Sequence, residues 1–161
     1  MARGTGTRKA DKVEHDGRYH TLPENVTGSP AFLHLSPRGM QAIFHLIRAF
    51  NGFNNGKIVM SARQLAHLMS MGGHPCTAKT AAAALRELAE HGLIAITQRE
   101  VWRSGMAREY RLTFIRTYCE HSRTSVPASH EWKRWRPDPE NKRQKVRSVT
   151  RKKGKGAPRA N

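Results

Sequence analysis

Acidic side chains are scarce in this chain of 161 residues: 12 Asp and Glu stand against 29 Lys and Arg, a formal net charge of +17. Self-repulsion of that size costs stability unless a polyanionic partner uses it. Carboxylates this few and scattered offer no basis for a two-metal nuclease, which needs several converging Asp or Glu. No GxxxxGK phosphate loop occurs, so nucleotide hydrolysis has no support and no enzyme is expected. Two cysteines, Cys76 and Cys119, are too few for a disulfide scaffold and fit a reducing compartment. No apolar run approaches the roughly 20 residues that cross a bilayer. The first residues also lack the apolar stretch of a signal peptide. The sequence thus predicts a cytoplasmic protein without membrane contact.

Metal chemistry is equally thin. Nine histidines are present, yet His74-x-Cys76 and Cys119-x-His121 match no common zinc spacing, and Pro75 interrupts the first pair. No metal and no cofactor is expected; Cys76 reads as a small buried residue beside a turn.

What is abundant is positive charge, and it is unevenly placed. Residues 1–20 hold five basic and three acidic groups, 21–117 eleven and five, and 118–161 thirteen and four. Within the last zone, 141–161 carries nine basic residues and no acidic one. Hydrophobic residues make up only 37% of the chain and lie mostly in the middle. Four segments follow: a polar flexible tail at 1–24, a folded domain at 25–117, an extension with a short Trp-containing helix at 118–140, and a disordered basic tail at 141–161.

Ser36-Pro37 is a strong helix start, a capping hydroxyl followed by a proline whose missing N–H costs nothing there. Met40, Ile43, Phe44, Ile47 and Phe50 recur at spacings of three and four, which predicts one buried helical face. Asn51-Gly52 ends this helix, and Asn54-Asn55-Gly56 turns into a short apolar stretch, Ile58 to Met60. Ser61 and Gln64 form a capping box for a short helix with Leu65, Leu68 and Met69 inward. Gly72-Gly73-His74-Pro75 breaks it. A third helix starts at Thr77 as N-cap and runs to about His91, with Gly92 as its stop. Its apolar face is Ala81, Ala84, Leu85 and Leu88; Lys79, Ala82, Ala83, Arg86 and Glu90 line the other side.

After Gly92 the period changes to two. Ile94 and Ile96, then Tyr110, Leu112 and Phe114, read as two strands of a hairpin. A three-residue loop Arg103-Ser104-Gly105 would put Gly105 in the left-handed position. That register sets Ile94 against Phe114, Ile96 against Leu112, Arg99 against Glu109 and Glu100 against Arg108, with charges and apolar groups both matched.

Helix, short strand, helix, turn, longer helix and hairpin follow one another in the order of a winged helix. The segments SARQLAHLM, TAKTAAAALRELAEHGLI and AREYRLT, between Ser61 and Phe114, resemble bacterial winged helix-turn-helix DNA-binding proteins. The resemblance implies a mainly α fold with a small β-hairpin, flanked here by disordered basic tails. It implies that helix 77–91 enters the major groove of double-stranded DNA and that the wing, 93–114, touches backbone or minor groove. Contacts would then come from Thr77, Ala78, Lys79, Thr80, Ala82, Ala83 and Arg86, from Arg63 on the preceding helix, and from Arg103 at the wing tip. Relatives often place Arg, Ser or Asn where this chain has Ala82 and Ala83, so fewer side chains here reach base edges.

Elementary physics points to the same helix. Its N-terminus carries a partial positive charge and free N–H groups, to which Thr77 and Thr80 add hydroxyls for a phosphate. The alanines permit close approach, and their methyls match thymine methyls. Lys79 and Arg86 are the long donors of that face, the first suited to a phosphate and the second to guanine. An isolated alanine-rich helix with one basic face is as often merely solvated; the capped helix, glycine turn and hairpin around it favour the groove. Arg103 serves equally as a solvated tip residue or as a groove contact.

Beyond the hairpin, Ser129 would cap a short helix that Pro137 ends, with Trp132 and Trp135 on one face. Such a pair more often anchors a terminal helix than stacks on bases, leaving Arg134 and Arg136 for phosphates. The 141–161 tail suits phosphate backbones of DNA or RNA without reading sequence. The leading expectation is a sequence-specific transcriptional regulator of repressor type, associated with the nucleoid. The alternatives are a plasmid-type replication initiator, which commonly carries two such modules, and a non-specific nucleic-acid binder. A homodimer through helix 36–50 or the Trp segment is compatible with the sequence.

Overall fold

The computed structural model describes residues 20–98, 107–119 and 124–138. Both expected tails, apart from residues 20–24, and the wing tip with Arg103 lie outside the described residues, as does His121. Among those described, the fold is mixed, with five α-helices and two small antiparallel sheets. In chain order they are α1 (Glu24–Thr27), α2 (Pro30–Leu33), α3 (Pro37–Ala49), β1 (Ile58–Val59), α4 (Ala62–Ser70), α5 (Ala78–Glu90), β2 (Ile94–Gln98), β3 (Glu109–Leu112), β4 (Thr117–Cys119) and β5 (Thr124–Val126). A 3₁₀ turn, Glu131–Arg134, follows.

Four of the five helices begin at a Ser or Thr whose hydroxyl accepts an orphan N–H of the first turn. Ser29 takes Phe32 N, Ser36 takes Gly39 N, Ser61 takes Gln64 N and Thr77 takes Thr80 N. Each such cap stabilises its helix by about 1 kcal/mol. Proline follows directly in α2 and α3, where its fixed φ suits the first helical position.

Helices α3, α4 and α5 bury Ile43, Leu46, Leu65, Met69, Leu85 and Leu88 against one face of a three-stranded sheet, which contributes Ile58, Ile94, Tyr110 and Leu112. The short helices α1 and α2 close the open side with Val26, Ala31 and Phe32. On α3 the buried stripe is Gly39, Ala42, Ile43, Leu46 and Ile47, rotated from the expected one. Phe44, expected inside, is 53% exposed. Spacings of three and four fit two neighbouring stripes here, and Ala42 and Leu46 fill the interior instead.

The sheet has the order β1-β3-β2, so the short apolar stretch after the Asn54-Asn55-Gly56 turn becomes an edge strand on β3. The expected hairpin register is two residues out. Ile94 pairs with Leu112 and Ile96 with Tyr110, and a bulge then sets Gln98 against Glu109 in place of Arg99. A slip of two leaves every side chain on its own face, so alternation alone does not distinguish the two registers. Buried Asn55 decides how the end of β3 is held. Its Oδ1 accepts from Leu112 N at 2.7 Å, and its Nδ2 donates to Leu112 O at 3.0 Å and Ile115 O at 2.8 Å.

Past β3 the chain forms the β4–β5 hairpin, which the sequence reading lacks, and returns as a strap over the end of α5. The expected Ser129 cap is not made: Ser129 Oγ donates to Glu131 Oε1, and His130, in a left-handed conformation, opens the turn without a side-chain cap. His130 N donates to Thr113 O, Arg111 forms an ion pair with Glu131 at 3.0 Å, and Trp132 enters the core. Trp135 is half-buried outside it, its ring 4.1 Å from that of His91 and 5.5 Å from that of His34. The strap fits only because residue 92 is glycine. Its φ is +70°, and a Cβ there would sit 2.9 Å from the backbone of Glu131 and Trp132.

Asn55→Ala removes the partner of a buried N–H and of three carbonyls, those of Leu112, Ile115 and Arg116, and is expected to cost about 3 kcal/mol. Asn55→Asp, which turns an acceptor toward those carbonyls, is expected to cost at least as much. Chemical denaturation of the two variants checks both the magnitude and the order.

Candidate nucleic-acid interface

Helix α5 joins an apolar inner face to an outer face of small and cationic residues. Ala81, Ala84, Leu85 and Leu88 are buried. Thr77, Ala78, Lys79, Ala83 and Arg86 are exposed, and Thr80 and Ala82 are partly covered. Lys79 and Arg86 lie seven residues apart on this face, two helical turns or about 10 Å. Among the described residues neither has an ion-pair partner. Between them only methyl groups project, so a broad surface can come within van der Waals distance of the helix.

At the N-terminus the two threonine hydroxyls bond each other, 2.9 Å apart, while Thr77 Oγ1 also accepts from Thr80 N at 3.2 Å. This corrects the expectation of two hydroxyl donors for one phosphate. One hydroxyl proton is committed to the pair whichever way it points, and one is left to face outward. With the uncapped N–H groups of the first turn and the positive end of the helix dipole, the site retains an anion-binding character.

The outer face can remain open because α5 is held from behind and at both ends. From behind, Glu87 reaches α3: Ser36 N donates to Oε1 at 2.7 Å and Ser36 Oγ to Oε2 at 2.6 Å, while Ser36 Oγ accepts from Gly39 N. Gly39 makes room for this, since a Cβ there would lie 2.7 Å from the Glu87 carboxylate. At the front end, Ser70 Oγ accepts from Cys76 N, Arg38 donates to Pro75 O at 3.3 Å, and Gln41 donates to Met69 O at 3.0 Å. Together they set the α4–α5 turn against α3. Cys76 is half-buried there, its Sγ 3.9 Å from Met69 Sδ. At the rear end sits the strap.

Sequence reasoning missed Glu87 and Arg38. A signal for the first was present: position 87 lies beside the buried stripe at 84, 85 and 88, where a carboxylate needs a partner. Arg63 is exposed in the first turn of α4. Arg134 and Arg136 are exposed beside the C-terminal end of α5, and Arg136 Nη1 donates to the carbonyls of Lys133 and Trp135. The expected residues thus fall into two groups, Thr77–Arg86 along α5 and Arg134–Arg136 at its far end. Elsewhere on α3, burial and then the Arg48 guanidinium hold His45 below its ordinary pKa of 6.5, so this imidazole adds no charge at neutral pH. Among the described residues no three His, Cys, Asp or Glu side chains gather as a metal would require.

No family model, curated protein or solved structure matches this chain. No helix among the described residues is long and apolar enough to cross a membrane.

The Glu87–Gly39 contact generates a sign test. In a helix, Gly→Ala ordinarily stabilises by about 0.5–1 kcal/mol. Gly39→Ala is expected to lower Tm in the native chain, where the new methyl meets Glu87, and to raise it in a Glu87→Ala background. Thermal melts of the four chains of this double-mutant cycle check it.

Proposed function

We propose that this chain is a winged helix-turn-helix protein that binds double-stranded DNA with sequence preference and acts as a repressor. The observation that carries the reading is the outer face of α5. Among the described residues it is largely exposed, lined by methyls and by two cations without an ion-pair partner, and it begins with donors suited to a phosphate. The order α3, β1, α4, α5, β2, β3, with β1 added to the outside of β3, supports the winged-helix assignment. The net charge of +17 supports a polyanionic partner.

In this reading α5 enters the major groove. Ala78, Ala82 and Ala83 allow the backbone of the helix to approach the base edges, where methyl contacts favour thymine. Arg86 takes guanine O6 and N7 through its planar fork, while Lys79, Thr77 and Thr80 hold phosphates at the front end. Arg63, Arg134 and Arg136 add backbone contacts that fix orientation and carry no sequence information. Occupancy of a site excludes polymerase without any catalytic step, so no cofactor is required.

Selection of bound sequences from a random duplex pool tests the reading: enrichment of a motif is expected, and equal recovery of all duplexes would mean charge-driven binding alone. On the selected site Arg86→Ala is expected to relax preference at a single base pair, losing about 1–3 kcal/mol there, whereas Lys79→Ala weakens all sequences alike. Competition binding with single-base variants distinguishes the two.

Deleting 141–161, with its nine basic residues, is expected to reduce affinity for every duplex and to flatten its dependence on salt while the preferred motif is kept. Affinity measured across a salt series checks this.

A further inference from the structure

We propose that the cavity between the Phe114–Arg116 bend and the segment from β5 to His130 binds a small organic anion with a flat apolar body. The cavity measures about 440 Å³ and is lined by Phe114, Arg116, Ser125, Pro127, Ala128 and His130, a size within the range of small-molecule sites. Among the described residues its chemistry is one-sided: a guanidinium, an imidazole and a hydroxyl, with no carboxylate. Buried Phe114 and the ring of Pro127 supply apolar surface for the body of the ligand. A second cavity, about 390 Å³ at the end of α3, has no Lys, Arg, Asp or Glu among the described residues of its lining and does not share this character.

His130 is the reason to single out this cavity. It is the one non-glycine residue among those described with a positive φ, +50°, a conformation that persists where the surroundings impose it and that clusters at ligand sites. Its N–H is tied to Thr113 O, and its Nδ1 is buried with no hydrogen-bond partner among the described residues. The imidazole donates from one nitrogen or the other as its tautomer allows. Among the described residues the lining offers donors and no carboxylate, and a ligand carboxylate is an acceptor. Arg116 can take it through paired N–H bonds, with Ser125 Oγ and the His130 ring completing the set.

The site is independent of the DNA reading and is tested without DNA. The full chain is titrated by calorimetry with benzoate, with its neutral isostere benzamide, and with inorganic phosphate, at about 0.15 M salt so that diffuse attraction to the basic chain is screened. Benzoate is expected to bind at least tenfold more tightly than either of the others. Arg116→Gln is expected to abolish that margin, and Arg48→Gln, an equal loss of charge on α3, to leave it intact. His130→Gly is expected to raise Tm by relieving the left-handed strain while weakening benzoate at least fivefold. Equal affinities for benzoate and benzamide, an unaffected Arg116→Gln chain, or a His130→Gly chain that binds as the native one does would each overturn the proposal. Phosphate binding as tightly as benzoate would overturn the apolar body of the ligand.

Discussion

The pairing of Glu87 with Ser36 is the interaction on which the rest of the structure turns. One carboxylate on the inner side of α5 accepts both donors of the residue that caps α3, and a glycine at position 39 leaves space for it. It fixes the two longest helices against each other without using any atom of the outer face. A helix that must keep one side clear has only its buried stripe, its flanks and its ends by which to be positioned. Here all three are used: Leu85 and Leu88 within, Glu87 on the flank, Ser70 and Arg38 in front, Gly92 and the strap behind.

The same logic explains the residue types on the open side. Alanine has the highest helix propensity and no side-chain entropy to lose, so a stripe of it keeps α5 helical without help from packing. It also imposes no shape of its own on whatever approaches. The cations stand two turns apart at the margins of that smooth strip, where their long stems can swing to meet a surface. What the arrangement gives up is hydrogen bonding in the middle, which leaves the two ends of the helix to supply orientation.

Much of this was legible in the sequence, and the failures share a cause. Caps and stops are local chemistry, so Ser36, Ser61, Thr77 and Gly92 mark their boundaries directly. Alternation and helical spacing report which face a residue takes but not which partner it meets. Hence Ile94 and Ile96 fall on the expected face of β2 and against other residues than expected, and Phe44 is displaced to the surface by an equally good neighbouring stripe. The strap, the short helices α1 and α2 and the Asn55 bonds are long-range arrangements. Nothing in a four-residue window announces that an asparagine will reach across some sixty positions to hold the end of a strand.

The mutual bond of Thr77 and Thr80 has a consequence for how an oxyanion would be met at this end of the helix. Since either oxygen can be the giver, the two hydroxyls form a reversible pair: turning one rotor forces the other, and the outward-facing hydrogen passes between two oxygens 2.9 Å apart without any backbone motion. A charged oxygen sliding along the front of α5 would therefore find a donor at two neighbouring stops. The front end would behave less like a fixed socket than like a short rail.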